Sequence, residues 1–272
     1  MQISIIAVSY AKQSIILNAG SFIYHLNLPL ASVKNSKISY RQFVEDYSHA
    51  RSSVAATEVT DEAVRQGVWG NIMREIVVGR LLLENNLSLD TSLLVEAKSK
   101  FITSIETESK QAELRQNYNL SPREAAERFI RPLLEEEQLR RWYAELPSTP
   151  ERQKIESLVL EAKAAPGNFV NLAGIATSDG QDTITEHVVP EEDLKDAYDH
   201  IRNLKQSGIS NIIASPDGYR LYQVKAIVLD ETEKKYFQLQ ELFVPLTSFD
   251  SYIDEEIKNT DAEIYFPRVV SE

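Results

Sequence analysis

The chain has 272 residues, a formal net charge of −12 and no cysteine. At about 150 residues per domain this suggests two domains, each large enough for a buried core. Scarce glycine (9) and proline (10) exclude collagen-like and Gly/Pro-rich disordered chains. The acidic balance, with bases scattered among acids and no basic patch, argues against nucleic acid as a partner. Without cysteine there are no disulfides, thiolate metal sites or cysteine nucleophile. Its absence also suits an oxidising compartment.

Residues 1–33 carry one charge, Lys12, and none falls between Ser14 and Val33. That stretch of about 20 residues matches, as a helix, a hydrocarbon core of ~30 Å. Asn18, His25 and Asn27 dilute it and Pro29 breaks its far end. Three readings follow. A single-pass membrane anchor comes first, with Lys12 favouring an exported remainder. A buried element of a soluble domain and a cleaved signal ending after Ala31 are the others.

Residues 39–145 read as helices. Ser39 caps a helix whose stripe is Phe43, Tyr47 and Ala50. Thr60-Asp61-Glu62 opens a second helix, with acids in the first turn where the helix dipole favours them. Val64, Val68, Ile72, Ile76, Val77 and Leu81 form its apolar face. Ser121-Pro122-Arg123-Glu124 has the form of a capping box with Pro at the first helical position. Pro132 should kink or split that helix. Leu146-Pro147-Ser148-Thr149-Pro150 is the clearest break, and a domain boundary is expected there.

The carboxyl-terminal part reads as α+β. A helix over 151–165 is followed by a turn and by a helical turn starting at Phe169. A helix beginning at Pro190 continues through Ala197, Tyr198, Ile201 and Leu204. Ser215-Pro216-Asp217-Gly218 is turn chemistry. Tyr219–Val228 and Tyr236–Val244 are rich in Val, Ile, Tyr and Phe, which predicts an antiparallel hairpin. Ser248 caps a short helix, and 262–266 reads as a final strand.

Several segments together resemble a known family. Phe169-x-x-Leu172-Ala173, Ser178-Asp179, Val189-Pro190, Leu204-Lys205-x-x-Gly208-Ile209-Ser210 and Ser215-x-x-Gly218-Tyr219, ending in Leu221-Tyr222-Gln223-Val224, follow the parvulin-type peptidyl-prolyl isomerase pattern. Val33–Phe43 is similar to the opening of the chaperone domain of SurA- and PrsA-type foldases. Tyr118–Glu124 resembles a later helix start of that domain. The resemblance covers most of residues 31–228. It implies an α+β chain with a helical chaperone-like domain (34–146) after the hydrophobic segment (1–33). A small parvulin-like domain with an antiparallel sheet (151–245) and a carboxyl-terminal extension (246–272) would follow. It implies an extracytoplasmic, membrane-tethered folding helper whose partners are unfolded or proline-containing polypeptides.

The departures from the pattern bear on mechanism. Isomerisation must cross a barrier of ~18–20 kcal/mol by twisting an amide, so a catalytic site must favour the twisted form. The family does this with an apolar proline pocket of Met and Phe flanked by two hydrogen-bonded His. Here the Met position holds Val188 and the Phe position holds Glu192. The Gly-Tyr-His pattern reads Gly218-Tyr219-Arg220, and Asp179-Gly180-Gln181-Asp182 is a shortened loop. The strand that opens the parvulin domain is missing before residue 151. Glu241-Leu242-Phe243-Val244 resembles it, with Glu241 at the His position. In the family the first and last strands are antiparallel neighbours, so this arrangement implies a circular permutation.

The peptide-groove residues expected from this alignment are Val188, Glu192, Tyr219, Arg220, Glu241 and Phe243, with no catalytic residue assigned. An active isomerase with a rebuilt site and a structural subunit of a cell-envelope assembly are the alternatives. His25, His49, His187 and His200 lack ligand spacing, so no metal is expected, and no phosphate loop or other cofactor motif appears.

Overall fold

A computed structural model describes residues 28–33, 36–53, 59–118, 120–172, 184–194 and 198–265. The chain is α+β and divides into two compact units, residues 1–135 with 253–272, and residues 136–252. The second is an insertion in the first.

The described part of unit 1 begins with two strands, β1 (Pro29–Val33) and β2 (Ser36–Ser39). Helices α1 (Tyr40–Ser53), α2 (Asp61–Glu84), α3 (Thr91–Ser104), α4 (Glu108–Tyr118) and α5 (Pro122–Glu145) follow. The starts that the sequence marks are built as expected. The amide of Gln42 donates to Ser39 Oγ (3.0 Å) and that of Ala63 to Thr60 Oγ1 (3.2 Å). At α5 the box is reciprocal: Glu124 N–H donates to Ser121 Oγ and Ser121 N–H to Glu124 Oε2. Leu30, Ala31, Val33, Ile38, Phe43, Val64, Val68, Ile72 and Met73 make the core of this unit.

The three strands of the unit 1 sheet run β2-β1-β7, all antiparallel, with β7 (Ala262–Ile264) supplied from the far end of the chain. This revises the reading of residues 1–33. Residues 1–27 lie outside the described residues, but Pro29–Val33 are a central strand with Leu30 and Ala31 fully buried. A membrane-spanning helix would therefore not include Pro29–Val33. Among the described residues no helix is long and apolar enough to cross a membrane. The segment 246–272 is likewise not one extension. Leu246–Tyr252 belong with unit 2, and 253–265 return to unit 1.

Of the two outcomes expected at Pro132, the helix is not split, since α5 continues to Glu145. Nor is Leu146–Pro150 a linker between domains, because both unit borders fall inside helices. It is a tight turn within unit 2, and Thr149 in it is buried. The Thr149 hydroxyl accepts from the amide of Arg152 and so caps α6 (Pro150–Ala164), which carries Pro at its first position.

Unit 2 continues with a 3₁₀ turn (Pro166–Leu172), then β3 (Ile184–Pro190), a one-turn 3₁₀ segment (Glu191–Asp193) and the short α7 (Tyr198–Ile201). The helix expected from Pro190 does not start there, because Glu191–Asp193 are 3₁₀; residues 195–197 lie outside the described residues, and α7 ends at Ile201. Next come β4 (Ile213–Ser215), β5 (Gly218–Leu229), β6 (Lys235–Pro245) and α8 (Ser248–Lys258).

The strand order in unit 2 is β3-β6-β5-β4, every neighbour antiparallel. The hairpin expected at 219–244 is present, and β6 pairs with β5 from Gly218↔Pro245 to Leu229↔Lys235. A bulge at Lys225 inserts one residue into β5. At Gly218 φ is +151°, and a Cβ there would overlap the Val244 carbonyl, so the strand start needs glycine.

Candidate functional site

Register sorts the side chains of unit 2 onto two faces, because cross-strand partners share a face and neighbours in sequence alternate. One face carries Tyr219, Leu221, Leu242 and Val244, all buried. Buried Ile155, Leu158 and Ala162 of α6 belong to the same unit, whose helix contacts both β5 and β6. The other face is divided along its length. Toward the hairpin tip, Val224, Phe237 and Leu239 are buried under Leu194 and Ile201. Toward the opposite end the same face is polar, and the candidate site lies there.

Its centre is Arg220. The guanidinium donates from Nη1 to Ser215 Oγ (2.6 Å) and Asp217 Oδ1 (2.9 Å), and from Nη2 to Asp217 Oδ2 (2.5 Å). Its Nε donates to Glu241 Oε1 at 3.0 Å. The fork geometry of arginine suits this, since two parallel N–H groups match one carboxylate. The guanidinium also lies over the Phe243 ring, 4.6 Å from its centroid. On the other side of Glu241, its Oε2 is 3.1 Å from His187 Nε2, which is itself 2.8 Å from Thr185 Oγ1. Tyr222 stands opposite Glu241 in the register.

The electrostatics follow from these distances. Hydrogen bonds from Arg220 hold the Asp217 carboxyl well below the ordinary carboxylate range and outweigh the opposing effect of burial. The same bonds raise Arg220 above its already high value, so it keeps its proton. Burial, helped by the charge of Glu241, pushes the Tyr222 phenol up to about 12. Asp217 and Arg220 are thus a fixed-charge pair. Four of the five guanidinium N–H groups are committed to protein oxygens, and the aromatic face of Phe243 is covered by a cation.

Of the six residues expected to form a groove, the structure brings Arg220, Glu241 and Phe243 together on one face. The other three lie elsewhere. Tyr219 is 0% exposed on the opposite face, and its hydroxyl donates to the Ala144 carbonyl (2.7 Å) and lies 2.9 Å from Thr149 Oγ1. It is a core anchor and lines no open surface. Val188, 68% exposed, is opposite Gln238 and shares the face of Tyr219. Glu192 is bound at the surface by Lys234 (3.2 Å). Residues 179–182 lie outside the described residues. Ser215, Asp217, Thr185, His187 and Tyr222 were missed. Counting back from the hairpin turn would pair Glu241 with Gln223; only the bulge at Lys225 brings Tyr222 opposite it.

Unit 1 holds a second feature of interest, a groove of about 820 Å³. Ile76, Leu82, Leu87 and Leu89 line it, Leu83 is 79% exposed at it, and Glu75 and Glu135 are among its acidic residues. Burial, and then the charge of Glu135, raise the Glu75 carboxyl above its ordinary value. Its size and mixed lining fall in the range of ligand-binding clefts. Among the described residues no group of three or more His, Asp or Glu is placed to hold a metal ion. No protein-family model and no curated protein sequence matches this chain.

Proposed function

We propose that this chain is a protein-folding helper of the SurA/PrsA kind, which binds unfolded or proline-containing polypeptides and carries a parvulin-like module that no longer isomerises them. The observation that carries this reading is the Arg220–Glu241 pair. The resemblance assigns a His to each of those two positions. Here a guanidinium and a carboxylate occupy both, and they bond to each other at 3.0 Å. The pairing of β6 along β5 supports the permutation, since the strand resembling the family's first is the antiparallel neighbour of the one resembling its last. The groove of unit 1, with its aliphatic walls, offers a surface to a client chain. An extracytoplasmic, membrane-tethered location belongs to the same proposal and rests on the uncharged segment and the lack of cysteine.

Loss of catalysis follows physically. A twisted prolyl amide is stabilised by a site shaped for it, and here most guanidinium N–H groups are bonded to protein oxygens and the Phe243 ring lies under the guanidinium. Two assays test the reading. The full chain should not accelerate cis–trans exchange of a proline-containing peptide above background. It should suppress aggregation of an unfolded client, and Leu83→Asp in the groove should weaken that suppression. Acceleration that disappears in Glu241→Ala would instead establish a working isomerase. Absence of any effect on aggregation, even at excess protein, would remove the chaperone reading.

A further inference from the structure

The unit 2 sheet has an open edge. Along its first half β5 is covered: β4 pairs with Gly218–Arg220, Ser210 N–H donates to the Tyr222 carbonyl, and Val224 exchanges bonds with Ser207 and Gly208. Past the bulge this cover stops. Asp230 N–H donates to the Lys234 carbonyl at the turn. The alternation of an antiparallel ladder then turns the backbone groups of Leu229 and Ile227 away from β6. Among the described residues no strand or backbone hydrogen bond meets them. The side chains there are Ile227, Val228 and Leu229, which are 39%, 44% and 65% exposed. A bare aliphatic strand edge is a template for another strand, and natural sheets usually protect such edges with charge, proline or cover. Among the described residues this one has none within the window.

We propose that this edge pairs with the same edge of a second copy of the chain, joining two unit 2 sheets antiparallel about a two-fold axis at Val228. The window is self-complementary. With Val228 facing its own copy, Ile227 meets Leu229 of the other chain and Leu229 meets Ile227. Every outward amide and carbonyl of those residues is then used in a symmetric, closed contact. The flanking charges favour the same antiparallel sense. Lys225, bonded to Glu186, stands with Lys205 at one end of the window; at the other, Lys234 and Lys235 are bonded to Glu192 and Glu191, which leaves Asp230, Glu231 and Glu233 as the excess charge there. Inversion of the second strand brings each basic end to an acidic end. A parallel alignment would set like charges together.

The lack of cysteine makes the test clean, because any cysteine introduced is unique. In the proposed pairing the two Val228 positions form a non-hydrogen-bonded pair, with Cα atoms about 4.5 Å apart, within reach of a disulfide. Under mild oxidation full-length Val228→Cys should form a covalent dimer, and Leu160→Cys on the exposed side of α6 should not. Sedimentation of the native chain should show a dimer that grows with concentration. Leu229→Lys should weaken it about tenfold or more while leaving the unfolding midpoint of the monomer in place. Equal cross-linking of the two cysteine variants, or none in Val228→Cys, would overturn the proposal. A chain that stays monomeric at its highest soluble concentration would do the same, even if the edge then accepted an unrelated extended peptide. So would a dimer indifferent to Leu229→Lys in a folded variant.

Discussion

The two faces of the unit 2 sheet come from alternate residues of the same strands, yet different physics holds them. Tyr219, Leu221, Leu242 and Val244 are buried in an apolar layer, where stability follows area removed from water and closeness of packing. One residue away on each strand, Arg220, Glu241, Asp217 and His187 are held by directed, charge-assisted bonds. An ion-pair network of this kind adds little net stability, because the desolvation of its charges offsets most of the attraction between them. What it fixes is geometry. At this end of the sheet, packing holds one face and directed bonds hold the other, while toward the hairpin tip the second face is also packed, under Leu194 and Ile201.

Substitutions can break or sharpen that contrast. Gly218→Ala should be the most damaging. It forces a side chain into the Val244 carbonyl at a φ of +151°, and unit 2 should lose about 4 kcal/mol or more, read by chemical denaturation. On the apolar face, Leu242→Ala should cost about 3 kcal/mol through lost burial and an unfilled cavity. A cost under about 1 kcal/mol would mean that this face is less closely packed than its burial implies.

Next comes Glu151, buried at the start of α6. It accepts from the amides and hydroxyls of both Thr247 and Ser248, and so ties α6 to the start of α8. Burial pushes its carboxyl up, but those bonds together hold it below the ordinary glutamate value. Its contribution is therefore complete above the unfolded-state value and is lost as pH falls through the lower folded one. Glu151→Gln should cost about 2 kcal/mol at neutral pH, with the two denaturation curves converging in acid.

On the charged face, the double substitution Arg220→Met with Glu241→Leu should change stability by only about 1 kcal/mol, in either direction. Arg220→Met alone should cost more, since it strands Glu241 beside Tyr222. NMR titration of that single variant should find Asp217 returned to the ordinary carboxylate range. The smallest effect belongs to Glu192→Gln. Its exposed contact with Lys234 should leave the thermal midpoint unmoved.

Much of this architecture can be read from local chemistry. Ser39, Thr60 and Ser121–Glu124 announce helices because a capping side chain acts within three residues of itself. The β5–β6 hairpin is legible because turn chemistry and β-branched runs lie side by side. The strands β1 and β3 are not. Pro29–Val33 has no alternation, and its partner β7 is more than two hundred residues away in the chain. Thr185-Glu186-His187 is polar on both faces, so an edge strand looks like a loop. The site was legible by half for the same reason. Arg220 and Glu241 stand out as departures from the motif. Ser215 and Asp217 read only as a turn, since the turn was their more obvious role. Tyr219 was misplaced by one position, which in a strand is the difference between the two faces.

The pairing of β1 with β7 sets an order on biosynthesis. As the chain leaves the ribosome, all of unit 2 emerges before the last strand of unit 1 exists. The inserted unit can therefore complete its own sheet while β1 still waits with one edge bare. Truncation at Asp261 would leave the waiting strand permanently unsatisfied, at the opposite end of the sequence from the cut.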